Sequence, residues 1–466
     1  MPTSAPPRFT PIWIAVTSSR NTRFFIPEVK SAGNVFRLKR VDNGKIMTTK
    51  ATDIIRTKVA VVGAGPAGST ASICLAKEKI EHVIFDKAVF PREKVCGDGL
   101  SGKVVHLLQE IDSGLLDAMA RQTDKFLGSW GVRFVAPNGT VLEVPYKNDG
   151  GHSGYAPGYV VRRVDFDYFL VQNLDPRWSD RRFGYELQTV QQEKDHIRLE
   201  FRHAGRTVVC QADLVIAADG DRSRIARQLN GRRMRPNYYY AGIRAYYRNV
   251  TGLSERNYIE LHFVKEALPG YFWIFPLPGG SVNAGLDMPA DEVRRKKINL
   301  RRLMETIIKE HPEISARFRG AKREGRVSGW GLPIAVENHP LSGERFMLTG
   351  DAGSLIDPFT GEGIGNAMIS GRLAAQVAAD AVRQNDYSAR RLIVYDGLVR
   401  ERLQKELELS EKIRRLARHP WLFNFLFSRI NANAEMRELF SNMYNDLDVR
   451  AKLKTPSFYL RLLLNK

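Results

Sequence analysis

Residues 57–87 read TKVAVVGAGPAGSTASICLAKEKIEHVIFDK, and the rest of the chain is organised around them. Val59 to Val62 form an unbroken β-branched and alanine run, the pattern of a strand buried on both faces. Gly63, Gly65 and Gly68 follow at G-x-G-x-x-G spacing. Glycines so placed allow a tight turn, a close backbone approach to a pyrophosphate, and close packing of helix on strand. Ser69 to Lys79 read as the helix whose N-terminal N–H groups would hold the phosphates. A second strand, His82 to Phe85, ends at Asp86, at the distance where a carboxylate is needed for a ribose hydroxyl. The sequence therefore predicts an α/β, Rossmann-type unit that binds an adenine dinucleotide.

A chain of 466 residues is too long for one compact core, so two or three intimately packed regions are expected. With 43% hydrophobic and 26% charged residues the composition is that of a globular protein. No apolar stretch approaches the roughly 18 residues that cross a bilayer. The net charge is +20, and residues 1–58 carry +8 of it. That balance favours an anionic partner: membrane headgroups, a phosphorylated substrate or nucleic acid. Helix–turn–helix, zinc-finger and RNA-recognition signatures are missing from the sequence, which argues against nucleic acid. Three scattered cysteines do not make a disulfide framework and point to a reducing compartment. No C-x-x-C or H-E-x-x-H occurs, so no metal site is expected. The expected location is cytoplasmic, with peripheral contact to the inner membrane considered and organelle targeting left open.

Residues 1–56 have no acid before Glu28 and lack the apolar core of a secretory signal. They read as a disordered extension: a transit segment or, the favoured reading, sequence ahead of a start at Met47. Further along, Phe90 to Val105 (FPREKVCGDGLSGKVV) is a glycine-rich loop with Cys96 among Arg92, Lys94 and Lys103. Cationic surroundings suit a reactive thiol, although a small buried hydrophobe is the commoner fate of a cysteine. Cys74 and Cys210 read as core. Gly131 to Pro145 is a hairpin, and Tyr159 to Leu170 a strand entering a helix near Arg162 and Arg163. Leu187 to Cys210 reads as a meander leading to a buried strand, Ala212 to Ala218, that ends in Asp219-Gly220. Such a strand end is where open α/β sheets bind ligands.

In GYFWIFPLPGGSVNAGLDM, Gly270 to Met288, the rings of Tyr271, Trp273 and Phe275 recur at period two and share one face. That face is sheet core or the wall of a long apolar slot. Asp291 to His311 reads as one basic helix. Arg345 to Asp351 is another strand of the dinucleotide sheet, ending in Gly350-Asp351. After it, Gly361, Gly363 and Gly365 would cross a ligand closely, and Ile364 to Asp380 reads as a helix. Its N-terminus would direct positive charge at the crevice, which suits reduced flavin. Tyr395 to Lys466 reads as helical and basic. Its segment Lys412 to Ile430 and the apolar Phe458 to Leu464 suggest interfacial membrane contact beside simple packing.

The opening fingerprint, Asp219-Gly220 and Gly350-Asp351 together resemble flavoproteins of the p-hydroxybenzoate hydroxylase type. Within them, PREKVCGDGL, YFWIFP and DPFTGEGIGNAMISG resemble the geranylgeranyl reductase family, from about Thr57 to the C-terminus. The resemblance implies FAD held by Gly63, Gly65, Ala67, Gly68, Asp86, Lys87, Cys96, Gly97, Arg163, Asp219, Gly220, Gly350, Asp351, Gly361, Gly363 and Ile364. It implies a polyprenyl chain gripped by Tyr271, Trp273, Phe275 and Pro276, with Cys96 and Tyr271 at the reacting centre. The activity implied is reduction of isolated C=C bonds in lipids, chlorophyll precursors or quinone tails, with NADPH or ferredoxin as reductant. The family's motif ends in G-x-G; here Gly285-Leu286-Asp287 departs from it at the last position. The expected organisation interleaves FAD-binding parts (57–130, 160–235, 340–380) with an antiparallel substrate region (131–159, 236–339) and a helical end (381–466). The rivals are a flavin-dependent monooxygenase or halogenase, the halogenase motif W-x-W-x-I-P differing at this strand, and a non-catalytic prenyl-binding protein.

Overall fold

The computed structural model describes residues 54–146, 154–232, 235–336 and 338–433. The extension before Ile54, with its alternative start at Met47, and the stretch Phe458 to Leu464 lie outside the described residues.

An eight-stranded sheet with a parallel centre forms the first layer. Its central strand, Ile54–Val62, lies between Arg206–Ala217 and His82–Asp86, with Phe346–Leu348 and Ser179–Phe183 further out. The central strand begins earlier than the sequence suggested. Ile54 to Arg56 pair with Val209 to Gln211, because the twelve-residue strand beside them offers partners beyond the buried run. The meander is present as Glu186–Gln192 and Ile197–His203, antiparallel to Arg206–Ala217. Helix Pro66–Lys77 follows the glycine turn and starts three residues before the expected Ser69. Proline at the first helical position has no N–H to satisfy and a φ already suited to the helix.

The second layer is a seven-stranded sheet. Its order is Lys322–Pro333, Tyr239–Arg248, Ser281–Pro289, Phe272–Pro276, Ile259–His262, Gly131–Val135, Val141–Pro145. All pairings are antiparallel except that of Ile259–His262 with Gly131–Val135, so the sheet is mixed rather than purely antiparallel. A third, three-stranded sheet joins Gly99–Leu100, Gly158–Val160 and Leu127–Ser129. It ties the cysteine loop to the strand that enters helix Arg163–Gln172.

The expected helix from Asp291 to His311 is two, Ala290–Arg295 and Leu300–Glu310. Lys297 adopts positive φ between them, and the Asn299 side chain accepts from Arg302 N–H to start the second. The C-terminal part folds as Ala389–Val399, Lys405–Leu416 and Pro420–Ala432. Among the described residues no helix is long and apolar enough to cross a membrane.

Candidate active site

One cavity of about 1250 Å³ lies between the two large sheets. This exceeds the usual few hundred to about 1,000 Å³ of a ligand pocket, leaving room for a large cofactor and a chain beside it. Two helices open onto it with their N-termini. Pro66–Lys77 starts at Gly65 and Ile364–Gln384 at Gly363, and neither cap residue supplies a side-chain acceptor. Their leading N–H groups are thus left for a ligand, and both helix dipoles favour an anionic one. Gly63 makes the turn at φ +104, where a Cβ would lie 2.1 Å from the Ala218 carbonyl oxygen. Only glycine brings these two strand ends together.

Most of the residues singled out in the sequence converge here. Gly63, Gly65, Ala67, Asp86, Lys87, Cys96, Gly97, Arg163, Asp219, Gly220, Asp351, Gly361, Gly363, Ile364, Tyr271, Trp273 and Phe275 all line the cavity. Three do not. Gly68 is turned inward, where a Cβ would meet the Gly63 carbonyl at 1.7 Å, and Gly350 packs against Ala367 and Ala67. Pro276 pairs with Val282 at the strand end, and strand alternation sends it to the face opposite the three rings. Cys74 and Cys210 are remote from the site, and burial pushes both thiols up to about 12.

Asp86 braces the turn: Ala64 N–H donates to its Oδ2 (2.7 Å) and Ala88 N–H to its Oδ1 (2.8 Å). Asp219 Oδ2 accepts from Arg224 N–H (2.8 Å), and burial raises its carboxyl, as it does that of Asp351. Arg163 clamps Asp167 with two bonds of 2.7 and 2.8 Å and lies close to Cys96. Burial opposes the charge of Arg163, but Asp167 and Cys96 outweigh it and the guanidinium stays firmly protonated.

Strand register assembles the cavity face of the second sheet. Trp273 lies opposite Gly285 and Phe275 opposite Asn283, while Arg244 and Tyr246 of the next strand pair with the same two residues. A Cβ at Gly285 would fall 2.4 Å from the Trp273 ring, so that glycine is the bed for the indole. Phe275 in turn lies against Gly97 and Gly99 of the cysteine loop, whose Cβ positions would be 3.1 and 3.3 Å from its ring. Trp273 Nε1 donates to Asn283 Oδ1 (2.9 Å). Asn283 Nδ2 donates to Asp98 Oδ2 (2.7 Å) and to the Cys96 carbonyl (2.8 Å), and Tyr246 hydroxyl donates to the same Asp98 oxygen (2.9 Å). Burial pushes Asp98 up to about 6 against the opposing pull of Asn283, Arg244 and Tyr246. Tyr271 hydroxyl donates to the Thr360 carbonyl, linking the aromatic row to the loop before helix Ile364–Gln384.

Sequence reasoning missed Asn283, Asp98, Tyr246 and Arg244. Asp98 stood within a quoted motif, and its signal was burial at φ +72, which the sequence does not display. Asn283, Tyr246 and Arg244 become visible only once register is known.

The fold and cavity define a flavoprotein. Two uncapped helix N-termini, a glycine turn braced by Asp86 and a single long cavity fit an extended cofactor with a pyrophosphate at one end. Comparison with known proteins agrees. The FAD binding domain family matches residues 56–400. A menaquinone reductase of Mycolicibacterium smegmatis is 31% identical over 339 residues, 72% of this chain and 79% of that protein. A digeranylgeranylglycerophospholipid reductase of Thermoplasma acidophilum is 29% identical over 352 residues, 75% of this chain and 84% of that one. The crystal structure of a geranylgeranyl bacteriochlorophyll reductase-like protein from the same organism superposes with a TM-score of 0.73 at 24% identity, covering 86% of this chain and 99% of that one. The chain belongs to the FAD binding domain family and, within it, to the geranylgeranyl reductase family of FAD-dependent oxidoreductases.

Proposed function

We propose that this oxidoreductase saturates C=C bonds of a polyprenyl chain carried by a lipid, a chlorophyll precursor or a quinone. The observation that carries the reading is the row Tyr271, Trp273, Phe275. All three rings are buried, yet all three line the cavity, and the row continues into Leu261, Ile259 and Val132. Leu409 and Ile413 of the C-terminal helices close the same apolar half. A slot walled this way accepts an oily tail and excludes water.

The residues converging on the glycine turn and on the loop before Ile364 are assigned to FAD, which supplies hydride when reduced. An isolated alkene has no carbonyl to polarise, so the protein's contribution is position. Trp273, held through Asn283 to the backbone of Cys96, and Phe275, seated on Gly97 and Gly99, fix the chain against the cysteine loop. Cys96 and Tyr271 are assigned to the reacting centre, and the N-terminus of Ile364–Gln384 to the anionic side of the reduced ring. NADPH or a docked ferredoxin supplies the electrons.

Membrane contact is assigned to the end of the described chain. Lys412, Arg415, Arg418 and Trp421 are exposed there, next to the helix face that supplies Leu409 and Ile413 to the slot. Mass spectrometry of lipids and quinones from cells with and without the gene tests the reading. Loss of the gene should leave one prenyl lipid class two hydrogens lighter per unreduced bond; identical profiles would contradict it.

A further inference from the structure

The seven-stranded sheet carries a carboxylate on its cavity face that the preceding account leaves unused. Asp287 lies on Ser281–Pro289 opposite Gly242, two residues beyond Gly285, on the same face as Trp273 and Phe275. It lines the cavity at 3% exposure. Among the described residues, the Tyr271 N–H is the only hydrogen-bond donor to its carboxylate, reaching Oδ1 at 3.3 Å. The other oxygen faces the loop that leads into helix Ile364–Gln384: a Cβ at Gly361 would sit 3.7 Å from Asp287 Oδ2 and 2.9 Å from the Tyr271 hydroxyl. Among the described residues no lysine or arginine pairs with it, although the cavity is rich in both. A carboxylate left so bare in an oily slot is costly as an anion and acceptable as an acid.

We propose that Asp287 is the acid that delivers the proton to the alkene. The proposal rests on the polyprenyl-reductase reading. One alkene carbon receives hydride, with its electron pair, from reduced FAD. The π pair of the alkene forms the second C–H bond with the proton of the Asp287 carboxyl, whose O–H bond breaks. The carboxylate then recovers a proton from water. Burial pushes the acid up to about 7, so a large fraction is protonated at neutral pH. The titratable groups around it are Tyr271 on its own sheet, Tyr240 on the neighbouring strand, Asp357 and Glu362 in the Gly361 loop, and Glu411 with Arg414 on the C-terminal helix. Of these, Tyr240 senses the Asp287 charge, and Arg414, paired with Glu411, lies near Tyr240.

The test compares wild type with Asp287→Asn, which keeps the shape and an acceptor for Tyr271, and with Asp287→Gly. Purified proteins with matched FAD content are reduced and given a geranylgeranyl lipid under anaerobic conditions across pH 5–9. Infrared difference spectra of the resting proteins read the carboxylic acid band over the same range. Wild-type turnover should fall as pH rises through about 7, in step with loss of that band. D287N and D287G should lose the component of the band that titrates near 7, keeping that of Asp98 near 6, and turn over about 10²–10⁴-fold more slowly, without that pH dependence. Cys96→Ala should retain the band. Equal turnover and pH profile in D287N, full turnover in D287G, or no band titrating near neutrality in wild type would each overturn the assignment of the proton to Asp287. A wild type that shows the band but leaves every prenyl lipid unreduced would overturn the polyprenyl reading instead, and the proposal with it.

Discussion

At the scale of single residues, the site is a set of buried polar groups whose satisfaction determines what each can do. Cys96 sits at a crossing point: its side chain meets Arg163 and its carbonyl accepts from Asn283, which also holds Trp273. Cys96→Ala should keep bound FAD, read from the visible spectrum, and lose most alkene reduction; full turnover would remove Cys96 from the mechanism. Asn283→Ala cuts both links and leaves Asp98 with fewer donors. It should cost about 1–3 kcal/mol in denaturant unfolding, the cost of an unmade buried hydrogen bond, and weaken chain binding more than FAD binding. Asp98 and Asp287 also shape stability against pH. Their folded-state acids lie at about 6 and about 7, above the usual 3.8, so the folded protein binds protons more tightly than the unfolded chain. Stability should therefore fall as pH rises from about 4 through about 7. Asp287→Asn removes part of that loss, so thermal melts should show the variant gaining on wild type at pH 8 and not at pH 4. Cys96 was legible in the sequence, but the polar links around it were not: Asp98 and Asn283 look like loop and strand residues until burial and register pair them.

At the scale of elements, the strand Phe272–Pro276 was legible and its setting was not. Period-two aromatics announced one face bearing three rings, but alternation equally suits sheet core. The choice fell to long-range pairing, which sets Trp273 on Gly285 and Phe275 on the cysteine loop. Gly285→Ala should displace the indole or the Ile243 backbone, whose carbonyl oxygen would lie 2.2 Å from the new Cβ. An overpacked site of this kind costs about 1–3 kcal/mol. Prenyl-lipid affinity, measured by titration, should drop while flavin content holds; unchanged affinity would show that the Trp273 position does not matter. The glycine turn and its helix were legible because their function needs local geometry. The two-residue strand Gly99–Leu100 and its small sheet were not, because pairing from distant residues creates them. The division of the basic segment at Asn299 left a local cap signal that a helical average over the segment conceals.

For the whole molecule, two sheets, one with a parallel centre and one largely antiparallel, enclose a cavity with a polar half and an oily half. The C-terminal helices close the oily half, and their outward face carries Trp421 at 71% exposure. Trp421→Asp should reduce co-sedimentation with anionic vesicles several-fold without changing turnover of a detergent-solubilised substrate; unchanged sedimentation would remove this face from membrane contact. Fold class and cofactor were readable from glycines and strand-end carboxylates, whereas the slot required the folded chain. The central claim is that reduced flavin in this cavity passes its electrons to a prenyl double bond. The most direct measurement is anaerobic stopped-flow mixing of photoreduced protein with a geranylgeranyl lipid, followed by mass spectrometry of the product. The account predicts return of the oxidised flavin spectrum together with a gain of two hydrogens per bond saturated. A flavin that stays reduced beside an unchanged lipid would contradict it.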